Sequence, residues 1–242
     1  MLQIFLYLTC YLLYLRARGL SGATAHVAVA DAHKVWHLER ELHLAVEPWV
    51  QHTASHIPGC QAFLSVCYMG AQVVVVPAAL IWLWHTNKIV YRRLSATIIV
   101  TWLAGVIIFT LFPCAPPRLA HLGISDIVSE KVISLSSQTV GTFYDPYAAM
   151  PSIHAGFACA ISVGMFCALS GRWRYAALIW GPLIIVAIVV TGNHFVLDAI
   201  GGVLLVASAC ASVIAAQRAL ACGRAAHRRM TAIKTASFHA NT

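Results

Sequence analysis

Runs of apolar residues long enough to cross a bilayer recur along this chain, and nothing else constrains its fold as tightly. They lie at 2–15, 60–84, 94–112, 153–170, 175–192 and 195–217. Bilayer hydrocarbon offers no water to a bare N–H or C=O, so a spanning segment must satisfy its backbone internally. As a helix it needs roughly 20 mostly apolar residues. The expectation is an all-α protein, a six-transmembrane-helix bundle whose first member is short. Charged residues make up only 10% of the chain, against about 25% in soluble domains.

Eight cysteines fall mostly inside these runs, without paired metal-ligand spacing, and read as small core residues. The first run has no basic residues before it and is read as a helix, not a signal peptide. With the N-terminus inside, the cytoplasmic segments hold ten of the sixteen basic residues, and all eight carboxylates fall outside. The positive-inside rule favours that orientation. The net charge of +8 is therefore a topology signal and no argument for a nucleic-acid partner. The expected setting is a multi-pass protein of a bacterial plasma membrane, its C-terminus cytoplasmic.

Without a linker or repeat, residues 1–242 read as one domain, with a core at 60–217, outside loops at about 16–59 and 113–150, and a basic tail at 218–242. In the first loop, Val35, Leu38, Leu42, Ala45 and Trp49 recur at helical spacing, which predicts an interfacial amphipathic helix near 31–50. His33 and His37 stand one turn apart there, but no further ligands of recognised spacing complete a metal site.

In the second loop, Pro113, Pro116 and Pro117 end the third run and leave Arg118 just beyond it. Two further stretches point to the same membrane face: "MPSIHAG" opens the fourth run and "TGNHFVLD" the sixth. His194 and Asp198 are one helical turn apart, so the carboxylate can orient the ring and leave its other nitrogen as a nucleophile. His154 is placed to protonate a leaving group. Pro151 and Ser152 form a helix start whose free amides attract an anion, and Arg118 adds a fork suited to phosphate. The set is that of a phosphoryl-transfer site.

These stretches resemble the motifs of the type 2 phosphatidic acid phosphatase superfamily, in particular the branch that contains fungal inositol phosphorylceramide synthase. "PCAPPR", "PSIHAG" and "GNHFVLDAIGG" are similar to its three motifs, over about residues 105–205. The resemblance implies His194 as the nucleophile that becomes phosphohistidine, Asp198 as its partner and His154 as general acid. Arg118 and Ser152 would hold the phosphate, and neither metal nor other cofactor is required; Thr191, Asn193, Tyr144 and Tyr147 could supply hydrogen bonds where the usual motif cations are absent. Leu111, Ile153, Ala187 and Ile188 stand where the commonest pattern has lysine, glycine, serine and arginine.

The leading expectation is thus a lipid phosphate phosphatase for a phospholipid or polyprenyl phosphate, acting on the extracytoplasmic face with water as acceptor. One alternative passes the phosphate or a phospho-headgroup, such as inositol phosphate, to an alcohol. Another is a transporter that relays protons through the same groups.

Overall fold

The structure is a computed structural model that describes residues 25–132 and 147–240, with side chains described as far as Arg224. The predicted span 2–15 and residues 133–146 of the second outside loop lie outside the described residues. Among the described residues the fold is helical, its one β feature an isolated parallel bridge between Cys114 and Ala148. In chain order the helices are α1 (Ala25–Glu41), α2 (Glu47–Ser55), α3 (Cys60–Thr86), α4 (Lys88–Leu111), α5 (Ile127–Lys131), α6 (Ile153–Ala168), α7 (Trp173–Val190) and α8 (Val196–Ala240). Four of these are long and apolar enough to cross a membrane, namely α3, α4, α7 and α8, whereas α6 is apolar but has only 16 residues.

Several boundaries differ from the sequence reading for local reasons. α4 begins six residues early, because the Asn87 side chain accepts the Val90 amide and caps it. Its first turns carry Lys88, Arg92 and Arg93, whose stems are compatible with a helix end at an interface. α8 runs on through 218–240, so the basic tail continues the last span as helix. α3 contains a π-helical stretch, Ala71–Val75, just before Pro77, where the missing N–H breaks the regular ladder.

The single amphipathic helix expected near 31–50 is instead two. Pro48 can neither donate to Leu44 nor tolerate its carbonyl at helical distance, so the chain breaks at 42–46 and restarts as α2. Along the expected apolar stripe Val35 is buried, and Leu38, Leu42 and Trp49 are exposed. The face that packs inward is Ala28, Asp31, Ala32, Val35 and Glu39.

α6 lies at the centre, against α4, α7 and α8. Ile161 and Phe157 pack with Trp102 and Ile98 of α4 on one side, and Ala155 and Ala158 with Ile184 and Ile188 of α7 on another. Ser162 Oγ accepts the Gly181 amide at 2.8 Å, a polar tie between α6 and α7. The contact of α8 with the start of α6 is closer still. A Cβ at Gly202 would collide with the Ser152 carbonyl oxygen, a backbone atom that cannot turn aside. Gly202→Ala is therefore expected to cost about 1–3 kcal/mol by overpacking, read as a Tm several degrees lower in detergent.

Candidate active site

The ends of α4, α6, α7 and α8 meet at one end of the bundle, joined by backbone hydrogen bonds. Arg118 donates its amide to the Gly192 carbonyl at 3.0 Å, and Ser152 donates its amide to the Asp198 carbonyl at 2.8 Å. Cys114 pairs with both Tyr147 and Ala149, and the Ala115 amide reaches back to Ala28 of α1. Gly192 makes the turn into α8 at φ +71°, where a Cβ would also meet the Ser125 carbonyl oxygen at 2.6 Å. The six residues singled out in the sequence all lie in these few turns.

His194 is buried, and its Nδ1 lies 2.9 Å from the Ala149 carbonyl oxygen and 3.4 Å from Asp198 Oδ2. A carbonyl oxygen only accepts, so Nδ1 carries the hydrogen and Nε2 is left as the basic lone pair. The nearer acceptor is thus a backbone carbonyl that the sequence could not single out. Asp198, fully buried, takes the Phe195 amide on Oδ2 at 2.9 Å, reaching back from the third helical position to the residue before the helix. It holds both the ring and the backbone that carries the ring.

His154 sits in the first turn of α6, half-buried, its ring centroid 5.9 Å from that of His194. The Tyr68 ring of α3 lies against His154 at 4.5 Å between centroids, tilted by 36°. Ser152 caps α6, its Oγ accepting the Ala155 amide at 3.4 Å. The following amides of α6 form the end of a helix dipole that favours an anion.

Arg118 has a side chain only 3% exposed. Its Nε donates to Asn193 Oδ1 at 3.0 Å, and Asp126 Oδ2 lies 3.8 Å from the same atom. Asn193 in turn donates to Thr191 Oγ1 at 2.9 Å, and Thr191 donates to the Ala187 carbonyl at 2.7 Å. Both ends of the Asn193 amide are engaged, so it orients the guanidinium; the expected hydrogen bond to phosphate would compete with those contacts.

The positions that depart from the commonest motif pattern have physical places too. Ile153 packs against α4 beside Gly105, where the missing side chain leaves it room. Leu111 is 78% exposed at the end of α4. Ala187 and Ile188 are buried in the last turn of α7, and their carbonyls accept from Thr191, Asn193 and His194.

Five contributors were missed in the sequence. Tyr68 touches His154, Asp126 approaches Arg118, and Gln51 ties the loop to α7 through the Ser125 and Val190 carbonyls at 3.0 and 3.1 Å. Glu39 and Glu47 cap α8.

The mouse and rat sphingosine-1-phosphate phosphatase 1 proteins are similar to this chain, 28% and 27% identical over 162 residues. The match covers 62% of the chain and 33% of each relative, so the chain spans about a third of the length of these curated relatives. No solved structure matches it significantly. The match that reaches furthest is to the PAP2 superfamily over residues 33–212, which takes in the second half of α1, α2 to α7, α8 as far as Ser212 and every residue of the site, and the chain belongs to that superfamily.

Proposed function

We propose that the protein is a membrane-embedded lipid phosphate phosphatase that works through a phosphohistidine. The observation that carries this reading is the Ala149 carbonyl 2.9 Å from His194 Nδ1, which takes that nitrogen's hydrogen and leaves Nε2 as the nucleophile, with the His154 ring beside it at 5.9 Å between centroids. Nε2 attacks phosphorus, the ester P–O bond breaks, and His154 gives its proton to the departing oxygen. Water then attacks the phosphohistidine, His154 takes up a proton from it, and inorganic phosphate leaves. Arg118 and the amides of α6 offset the charge that develops on the equatorial oxygens.

The bilayer supplies the rest of the substrate site. A groove of about 520 Å³ runs between α4 and α8, lined by Ile108, Phe112, Met150, Pro151, Leu204 and Leu205. It starts at the two residues between Ala149 and Ser152, so an apolar tail lying in it brings its phosphate to the two histidines. The rodent relatives are named for sphingosine-1-phosphate, and that lipid is the first substrate to test. In this reading residues 2–15 and α6 join the four long helices as six spans. The site then faces the extracytoplasmic side, and α1 and α2 lie along the membrane surface beside it.

Phosphate-labelled sphingosine-1-phosphate, quenched during turnover, is expected to leave label on the protein that is stable to alkali and lost in acid, as an N–P bond requires. Phosphate release without any such label would overturn the covalent route. Adding alcohols to the same assay separates transfer from hydrolysis, because a transferase yields a new labelled ester.

The groove makes a separate prediction. Leu204→Trp fills it and displaces about two methylenes of a bound tail, roughly 1.6 kcal/mol. The KM for long-chain lipid phosphate is expected to rise on the order of tenfold, while a soluble short-chain phosphate ester is affected little. An equal rise for both substrates would count against a tail site.

A further inference from the structure

The chemistry above leaves two buried carboxylates without a task. Glu39, near the end of α1, and Glu47, the first residue of α2, are both 0% exposed. They converge on the first turn of α8, where Glu39 Oε1 accepts the Leu197 amide at 2.6 Å and Glu47 Oε1 the Val196 amide at 3.0 Å. Asp198 takes the amide before these, that of Phe195. Three successive N–H groups that no helical carbonyl can reach are therefore each held by a different carboxylate.

Three full negative charges at one buried helix end exceed what a dipole equivalent to roughly half a charge can offset. The second oxygens show how the excess is relieved. Glu39 and Glu47 lie within hydrogen-bonding reach of each other, and Oε2 of each has no hydrogen-bond partner of its own among the described residues. Ionised carboxylates only accept, so two of them would leave both oxygens orphaned and repelling. A proton between them satisfies both.

We infer that Glu39 and Glu47 share one proton and, in that form, lock the first turn of α8, acting as positioning residues for His194 and Asp198. Burial first, and then the charges of Glu47 and Asp198, push Glu39 up to about 9 against the opposing pull of the Leu197 amide. Among the described residues, Cys114, from the segment after α4, is a further titratable group near the pair. Burial raises its thiol, and Asp198, Asp31 and Glu39 raise it further, so it stays neutral and adds no charge. Asp31 is itself paired with Lys34 at 2.7 Å.

The test uses the full chain in detergent with two readouts, sphingosine-1-phosphate hydrolysis and thermal unfolding between about pH 5 and 10. Glutamine keeps a carbonyl oxygen for the backbone amide and offers an N–H to its partner's Oε2, so it stands in for the shared proton. Glu39→Gln and Glu47→Gln are each expected within about threefold of wild-type kcat/KM. Glu39→Ala, which strands the Leu197 amide and the Glu47 oxygen, is expected to lose at least roughly tenfold.

In the double glutamine variant two N–H groups face each other without an acceptor. It is expected to fall at least about tenfold below the product of the single effects. The stability readout has its own sign. The native state keeps on Glu39 a proton that the unfolded chain releases above its ordinary value of 4.5, so wild-type stability falls as pH rises from there towards about 9 and then levels. Glu39→Gln has nothing to titrate in that window and is expected to give a flatter profile.

Equal impairment by Glu39→Gln and Glu39→Ala, or additive single and double glutamine effects, would overturn the shared proton. The activity arm rests on the phosphatase reading; the unfolding arm does not. Absent hydrolysis in the wild type would thus sink the proposed reaction, and the unfolding data would still decide the pair.

Discussion

His194→Ala is expected to abolish lipid phosphate hydrolysis, with kcat/KM falling by a factor on the order of 10⁴ or more. That magnitude follows from removing the proposed nucleophile, whose loss in comparable two-step enzymes costs on the order of 10⁴–10⁶. The phosphoryl-enzyme label should vanish with it. Because the ring is buried and bonded to the Ala149 carbonyl, its removal also leaves an unpaired acceptor worth about 1–3 kcal/mol. Tm therefore has to be measured alongside activity. His194→Asn, which can still donate towards Ala149, separates the two effects: it should recover stability and no turnover. Retention of activity in either variant would remove His194 from the reaction.

The second large effect belongs to His154. Its alanine variant is expected to lose roughly 10²–10⁴ in rate on an alkyl phosphate ester, the usual range for a general acid. The diagnostic is the leaving group, because an aryl phosphate whose phenolate departs without protonation needs no acid. Phosphoryl transfer from such an ester should therefore be far less affected, while hydrolysis of the phosphohistidine, where His154 acts as a base on water, stays slow. His154→Ala is thus expected to accumulate labelled enzyme when given the aryl ester. The alkaline limb of the pH profile that reports loss of the acid should disappear for the first step. Equal losses on alkyl and aryl esters would point to a binding or structural part for this ring, such as its contact with Tyr68.

Much of the scaffold was legible from hydropathy alone. Apolar runs near 60–84, 94–112, 175–192 and 195–217 each correspond to a helix of spanning length, because in hydrocarbon an uninterrupted apolar segment has few options but to pair its own backbone. Helix ends were less legible, since they are set by single contacts. Asn87 starts α4 before its apolar part begins, and Pro48 divides a periodic stretch into α1 and α2. The residues of α1 facing inward include Asp31, paired with Lys34, and Glu39, whose Oε1 takes the Leu197 amide of α8.

For the site, the division follows sequence distance. His194 and Asp198 are one turn apart, and Ser152 and His154 open the same helix, so their pairing is a local property that spacing reveals. Arg118 could be placed on the same face because prolines end the preceding span. What the sequence by itself determined was a helical membrane chain carrying an anion-attracting helix start, a nearby arginine and a histidine–aspartate turn. Only the tertiary structure decided that the Ala149 carbonyl is the nearer partner of His194, that Asn193 orients Arg118, and that Glu39 and Glu47 cap α8 from 158 and 149 residues away. Backbone carbonyls carry no residue signature, and a capping carboxylate far along the chain has no periodic relation to the helix it caps. Such contacts come into being only when packing brings the segments together.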